Sequence, residues 1–207
     1  EAIVAHEHAL SKRQPEDAPL LWAMSQTNLA NATTRLAKLT GSPELLRTAI
    51  EHYRAAQTVY QREDFPRDWA WSVASLASAF IDLAQMTDQV EEFERALNYC
   101  EDAIDGYTSV RIPLSKAWVC GLKGNAFIGL KRYGDAAEAY KAALALQSYQ
   151  SAGEDWVMSC NNLAACLFEL GDRAGAFETL ERALQEAPEN QRLLATRAAL
   201  SLDQEET

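Results

Sequence analysis

The sequence predicts an all-α fold, a solenoid of antiparallel helix hairpins, on three observations. Small residues pair at a fixed separation of about 21: Ala9 with Ala30, Ala56 with Ala77, Ala103 with Gly124, and Ala143 with Ala164. The later members of those pairs are themselves about 47, 47 and 40 residues apart, so whole units repeat. Around each small residue, apolar side chains recur at helical spacing, and turn-forming residues separate the runs. Alanine and glycine let two helical backbones approach closely, while larger residues fill the groove between them.

Bulk properties agree. With 48% apolar and 24% charged residues the chain can bury a core and is not of disordered composition. No apolar run approaches the ~18–20 residues that cross a bilayer. The net charge of −11 disfavours nucleic acid, whose phosphates need lysine and arginine, and equally disfavours anionic membrane surfaces. It suits either simple solubility or attraction of a basic partner.

The elements follow in order as one array over residues 1–207. In residues 1–14, Ala2-Ile3 aligns with Ala49-Ile50 and Ala9 with Ala56. This segment therefore reads as the orphan second arm of a hairpin, and further chain is expected upstream of Glu1. Residues 15–62 form the first full unit. Pro19-Leu20-Leu21-Trp22-Ala23 starts one arm, Leu29-Ala30 marks its contact, and Ala49, Tyr53 and Ala56 answer from the other. Ser42-Pro43-Glu44 supplies a serine N-cap followed by proline at the first helical position.

Residues 63–110 repeat the pattern. Pro66-Arg67-Asp68-Trp69-Ala70 starts the first arm, Leu76-Ala77 packs against Ala96, Cys100 and Ala103, and Thr87-Asp88 is expected to cap the second arm. In residues 111–150 the slots are Gly124, Phe127, Ala136, Tyr140 and Ala143, with Gly134-Asp135 as the hairpin turn. Residues 151–188 are the clearest unit. Cys160, Leu163, Ala164 and Leu167 share a face, Leu170-Gly171-Asp172 stops that arm, and Ala176, Leu180, Ala183 and Leu184 form the next stripe before Pro188. Residues 189–203 carry Leu193, Leu194, Ala198 and Leu202 as the stripe of a C-terminal capping helix. A frayed acidic tail follows from Asp203. Trp22, Trp69 and Trp156, near the helix starts, are expected to wedge against the preceding hairpin.

These slots resemble the tetratricopeptide repeat, whose pattern is a bulky residue, Leu-Gly, an aromatic, then Ala, Phe, Ala and a final Pro. Residues 160–188 fill it with Cys160, Leu163, Ala164, Leu167, Ala176, Leu180, Ala183 and Pro188. The unit before has the usual glycine at Gly124 but Lys123 in place of leucine, and Cys160 stands in place of tryptophan. The two earlier units match in the same order with about seven extra residues each, nearly two helical turns, which lengthens the arms without scrambling the stripe. In that respect the chain resembles the extended arrays of bacterial multidomain proteins. The resemblance implies a right-handed superhelix.

In this family the first arms line a concave groove, which implies a set of groove positions here. Six residues before the small residue stand Met24, Trp71, Trp118 and Met158, large and apolar. Central positions carry Thr27, Asn28, Asn31, Ser75, Ser78, Asn125, Asn161 and Asn162, and farther along come Arg35 and Asp82. Small and amide groups suit the backbone of an extended peptide, and the Met/Trp row suits apolar anchors. Two alternatives stand beside this: the large row packs between hairpins, and the asparagines are simply solvated. Lysine and arginine are missing from the row of Thr27, Ala74, Gly121 and Asn161, so a clamp for an acidic peptide tail is not expected.

No catalytic grouping, phosphate-cradling glycine loop or zinc signature is present in the sequence, so catalysis is not expected and no cofactor is implied. Cys100, Cys120, Cys160 and Cys166 lack metal-ligand spacing and fall on apolar positions, which predicts buried, reduced thiols and a cytoplasmic setting. His6 and His8 point to different helix faces and His52 is alone, so no metal is expected. The functional expectation is a module that binds a peptide or helical segment of a protein partner. The alternative is a regulatory or structural array in a larger signalling protein, contacting a neighbouring domain or self-associating through the exposed N-terminal edge.

Overall fold

Proline sets the start of three first arms. Pro19, Pro66 and Pro113 each occupy the first turn, where a missing N–H costs nothing and φ is already helical. The computed structural model describes His8, Leu10 and residues 15–205. Apart from His8 and Leu10, the expected orphan arm over residues 1–14 lies outside the described residues, as does His6. All regular structure among the described residues is helical, in antiparallel hairpins of the solenoid type as predicted. The chain divides into two compact units, Glu1–Arg111 and Ile112–Thr207.

The first unit holds α1 (Pro19–Thr40), α2 (Pro43–Gln57), α3 (Pro66–Thr87) and α4 (Val90–Ser109), each packed on the next. Gly41 closes α1 at φ 64, a left-handed conformation that glycine takes without strain. Ser42 then caps α2, its side chain accepting from the Leu45 N–H, as its sequence predicts. Leu46, Ala49, Ile50, Tyr53 and Ala56 make the buried stripe of α2. α3 is buried on most sides because α2 covers one face and α4 another. Ala30, Ala77, Ala56 and Ala103 are all fully buried, so the register of small residues marks helix contacts as predicted. Trp69 packs against the buried cluster of Ala23, Ala56 and Tyr60, which belongs to the preceding hairpin.

One local expectation fails here. Thr87 and Asp88 do not cap α4: Asp88 adopts φ 53 and closes α3, Thr87 bonds back to the Leu83 carbonyl, and the residue before α4 is Gln89. An aspartate tolerates the left-handed region, which turned an apparent helix start into a helix stop.

The second unit holds α5 (Pro113–Gly129), α6 (Tyr133–Leu144), a single turn α7 (Tyr149–Ala152), α8 (Glu154–Glu169), α9 (Arg173–Glu186) and α10 (Gln191–Glu205). Its arms of 17, 12, 16 and 14 residues are shorter than the 22, 15, 22 and 20 of the first unit, the difference the longer repeat period requires. Gly171 at φ 82 ends α8 and Asp172 caps α9, with the Gly175 N–H donating to its carboxylate. The matching turn before α6 is not Gly134-Asp135, which lie inside the helix; Lys131 takes it, at φ 56. The Arg132 N–H bonds the Phe127 carbonyl there, as the Asp172 N–H bonds Leu167. α10 also differs from expectation. Leu193, Leu194 and Leu200 pack on the core, whereas Ala198 and Leu202 are exposed. In this orientation Thr196 donates to Asn161 on α8 at 2.6 Å. The helix continues through Glu205, so the tail from Asp203 is helical up to that point.

Candidate functional site

On α1 the exposed stripe runs Met24, Asn28, Asn31, Arg35 and Lys38, spaced four and three residues apart and therefore on one side of the helix. Met24 is 52% exposed, a large apolar group left in water. Asn28 and Arg35 are exposed and Asn31 is half-buried. Thr27, one position off the stripe, is buried instead, and its hydroxyl finds no hydrogen-bond partner among the described residues.

The corresponding row on α3 is more enclosed. Trp71 is half-buried and meets the ring of Tyr53 edge-on at 6.5 Å, so it packs partly between hairpins. Ser75 is buried and donates to the Trp71 carbonyl at 2.9 Å, while Ser78 is half-buried. Asp82 is buried and accepts from Lys38 Nζ at 2.8 and 3.0 Å. This ion pair ties α3 to α1, so the carboxylate is already matched and does not stand open to a ligand.

In the second unit the large residues Trp118 and Met158 are half-buried and 40% exposed, respectively. The amides of this unit form a network. Asn125 Oδ1 accepts from the Tyr140 hydroxyl at 2.6 Å and from Asn162 Nδ2 at 3.3 Å. Asn162 Nδ2 also donates to the Tyr140 oxygen at 3.1 Å. Asn161 Nδ2 donates to Asn162 Oδ1, and Asn161 Oδ1 accepts from Thr196 at 2.6 Å. The asparagines are therefore neither bare solvated positions nor fully free for a ligand; they link α5, α8 and α10. In the first unit Asn31 Oδ1 accepts from the Tyr53 hydroxyl at 2.7 Å in the same way.

Burial governs the ionisable groups near these faces. It raises Tyr53 and Tyr140 above the usual phenol value, and pushes the Cys160 thiol up to about 12 and Cys166 to about 11. All four cysteines are buried and none is in a disulfide. Such thiols are poor nucleophiles, since the thiolate is the reactive form. Among the described residues no cluster of histidine, cysteine and carboxylate could hold a metal. No helix among them is long and apolar enough to cross a membrane.

Lys38, Tyr53, Tyr140 and Thr196 are the partners that sequence reasoning missed at these faces. For the tyrosines a signal existed. Hairpins with asparagine directly after the small residue carry tyrosine on the second arm, whereas Ser78 and Ala165 face repeats that carry Cys100 and Leu180 there.

Residues 119–149 and 156–186 each match a family described as tetratricopeptide repeat. No curated protein matches the sequence. Among solved structures, the chain is similar to the apo form of RapI, with a TM-score of 0.67 at 14% identity over 91% of this chain and 49% of that one. The chain thus spans about half the length of RapI. It is also similar to a Podosopora anserina kinesin-light-chain protein with nearly identical TPR-like repeats, at TM-score 0.63 and 19% identity over 91% and 88% of the two chains. BtubC (BKLC) from P. vanneervenii follows at TM-score 0.50 and 16% identity over 97% and 91%. At these identities the likeness is one of fold.

Proposed function

We propose that this chain, which belongs to the tetratricopeptide-repeat family, is a protein-interaction module whose first arms receive a peptide or helical segment of a partner. Proteins of this family are generally non-enzymatic scaffolds. The observation that carries the reading is the exposure of Met24 and Met158, each four residues before an amide, Asn28 and Asn162. An apolar anchor one helical turn from a donor–acceptor side chain suits a segment that offers both a hydrophobic side chain and backbone polar groups. Trp118 and Trp71 stand at the same row and extend the apolar strip within their own units. The reading is of a non-catalytic module without a cofactor, in the cytoplasm, where four buried thiols outside any disulfide persist reduced. The charge of −11 favours a partner with a basic surface over nucleic acid or an anionic membrane.

Affinity capture with the protein, followed by identification of what co-purifies, supplies the partner. Capture is then repeated with Met24→Ser and Met158→Ser, both at exposed positions. Loss of the partner with unchanged melting supports the reading, and retention by both folded variants sinks it.

A second reading rests on α1, which also exposes Leu20, Leu21, Leu36 and Leu39. Exposed leucines at both ends of one helix suit contact with a neighbouring domain or a second copy, as in a regulatory array. It predicts concentration-dependent size in analytical ultracentrifugation. A monomer that persists to high concentration counts against the self-associating form of it.

A further inference from the structure

The second unit contains a cavity of about 340 Å³ lined by residues of second arms α6 and α9 and of α8. Its floor is Cys160 and Leu163, and Trp156 and Leu144 form walls. The volume gives room for roughly ten heavy atoms at the ~30 Å³ that liquid water takes per molecule. It also falls at the lower end of the range of small-molecule sites, which are mostly apolar with a few placed polar groups.

The polar groups here are specific in sign. Lys141 from α6 and Arg182 from α9 are the charged residues lining the cavity, and no carboxylate lines it, in a chain whose net charge is −11. Lys141 makes an exposed bond with Glu138 on its own helix at 2.9 Å, an i,i+3 pair of the kind that contributes little and yields readily. Arg182 has no carboxylate partner among the described residues, and its charge is close enough to Cys160 to oppose the upward push of burial on that thiol. Thr179 also lines the cavity but spends its hydroxyl on the Gly175 carbonyl.

We propose that this cavity is a binding site for a small apolar carboxylate, an aryl or acyl chain seated on Trp156, Leu144 and Leu163 with its carboxylate between Lys141 and Arg182. The site lies between second arms α6 and α9 and uses Trp156, Cys160 and Leu163 of α8 rather than Met158, Asn161 and Asn162, so it goes beyond the groove reading and stands without it. Arginine meets a carboxylate with two parallel N–H donors, and lysine adds a point charge.

The probe is 4-phenylbutyrate, titrated into the isotope-labelled full chain and followed by NMR, with 4-phenylbutanol as the uncharged control. The expected result is saturable shifts at the Trp156 indole and at Thr179, with the alcohol at least about tenfold weaker because it forgoes charge-assisted bonds. Arg182→Gln should weaken the acid about tenfold and leave the alcohol unchanged. Ala145→Phe, at an exposed position on the rim, should fill the mouth and abolish both without lowering the melting temperature. Equal affinity for acid and alcohol overturns the proposal, as do shifts that survive Ala145→Phe, or shifts centred on Asn125 and Asn162 instead. A peptide ending in phenylalanine that binds where the free acid does not would also overturn it.

Discussion

The Tyr140 hydroxyl donates to Asn125 Oδ1 at 2.6 Å, tying the second arm α6 to the first arm α5 inside one hairpin. Tyr53 and Asn31 repeat the bond at 2.7 Å in the first unit. Where the asparagine is replaced by Ser78 or Ala165, the tyrosine is replaced by Cys100 or Leu180. The two residues behave as one exchangeable piece: a polar pair in two hairpins, a smaller or apolar fill in the others. Removing one partner of such a pair costs more than removing both, because the survivor stays buried and unpaired.

Tyr140→Phe tests this directly. It leaves Asn125 Oδ1 without its short bond and Asn162 Nδ2 with one acceptor fewer. The expected loss is about 1–2 kcal/mol, read from the urea midpoint. Adding Asn125→Leu together with Asn162→Leu should recover part of it, since that variant removes the hydroxyl and both amides bonded to it at once and leaves an apolar fill of the kind seen at Ala165 and Leu180. A combined variant no better than the sum of the singles refutes the pairing.

Alkaline stability should follow the same burial. The Tyr140 phenol lies above its usual 10.0, and the Cys160 and Cys166 thiols rise from 9.0 to about 12 and about 11. In each case desolvation of the charged form is the main cause, so the fold holds the proton more tightly than the unfolded chain does. That contribution is complete below the unfolded values and is lost as pH rises through the folded ones. The urea midpoint should be flat from neutrality to about pH 9 and fall through about pH 11–12. Cys160→Ala should shallow the decline, and an unchanged slope would assign the loss to other groups.

Lys131→Gly should stabilise the second unit. Lys131 sits at φ 56 in the turn where the next hairpin has Gly171 at φ 82, with the same backbone bonds closing the helix. An L-residue pays for the left-handed conformation and glycine does not, which outweighs the larger entropy glycine loses on folding. The expected gain is about 0.5–1 kcal/mol, visible as a higher melting temperature. A lower one would show that the lysine side chain contributes contacts that exceed the backbone strain.

Helix register was legible from the sequence, and the end of each helix was less so. Ala30, Ala77, Gly124 and Ala164 could be found because a helix–helix contact excludes bulk at a fixed period, and each is buried. Asp88 and Lys131 could not, because both take backbone conformations for which sequence favours glycine, and a residue that pays strain leaves no compositional trace. The site was half legible. Position on the first arm identified Met24 and Asn28 as exposed, but the fate of Asp82 depended on Lys38, 44 residues away in the chain. A contact of that range needs the packing of two hairpins to be known first. The α6–α9 cavity was hidden for the same reason, since its lining comes from three helices whose rims carry ordinary surface residues.

Gly124→Ala weighs two opposing terms. Alanine favours the helix over glycine by up to about 1 kcal/mol. Its Cβ, however, would stand 2.6 Å from Tyr140 Cζ and 2.8 Å from both adjacent ring carbons. The ring cannot swing away without giving up the Asn125 bond, so the overpacking cost of about 1–3 kcal/mol should win and lower the melting temperature.

Two asparagines on first arms of different units should separate structure from recognition. Asn28 is exposed on α1, and among the described residues nothing in its unit depends on its amide. Asn28→Ala should leave stability within about 0.5 kcal/mol and weaken capture of the partner. Asn125 holds Tyr140 and Asn162, so Asn125→Ala should cost about 1–2 kcal/mol whether or not a ligand touches it. Measuring melting and capture on both variants assigns each effect to its cause. If Asn28→Ala captures as well as the unaltered chain, the amide stripe of α1 is not the surface that the partner reads. If Asn125→Ala loses capture only in proportion to its loss of folded protein, that residue serves the hairpin alone.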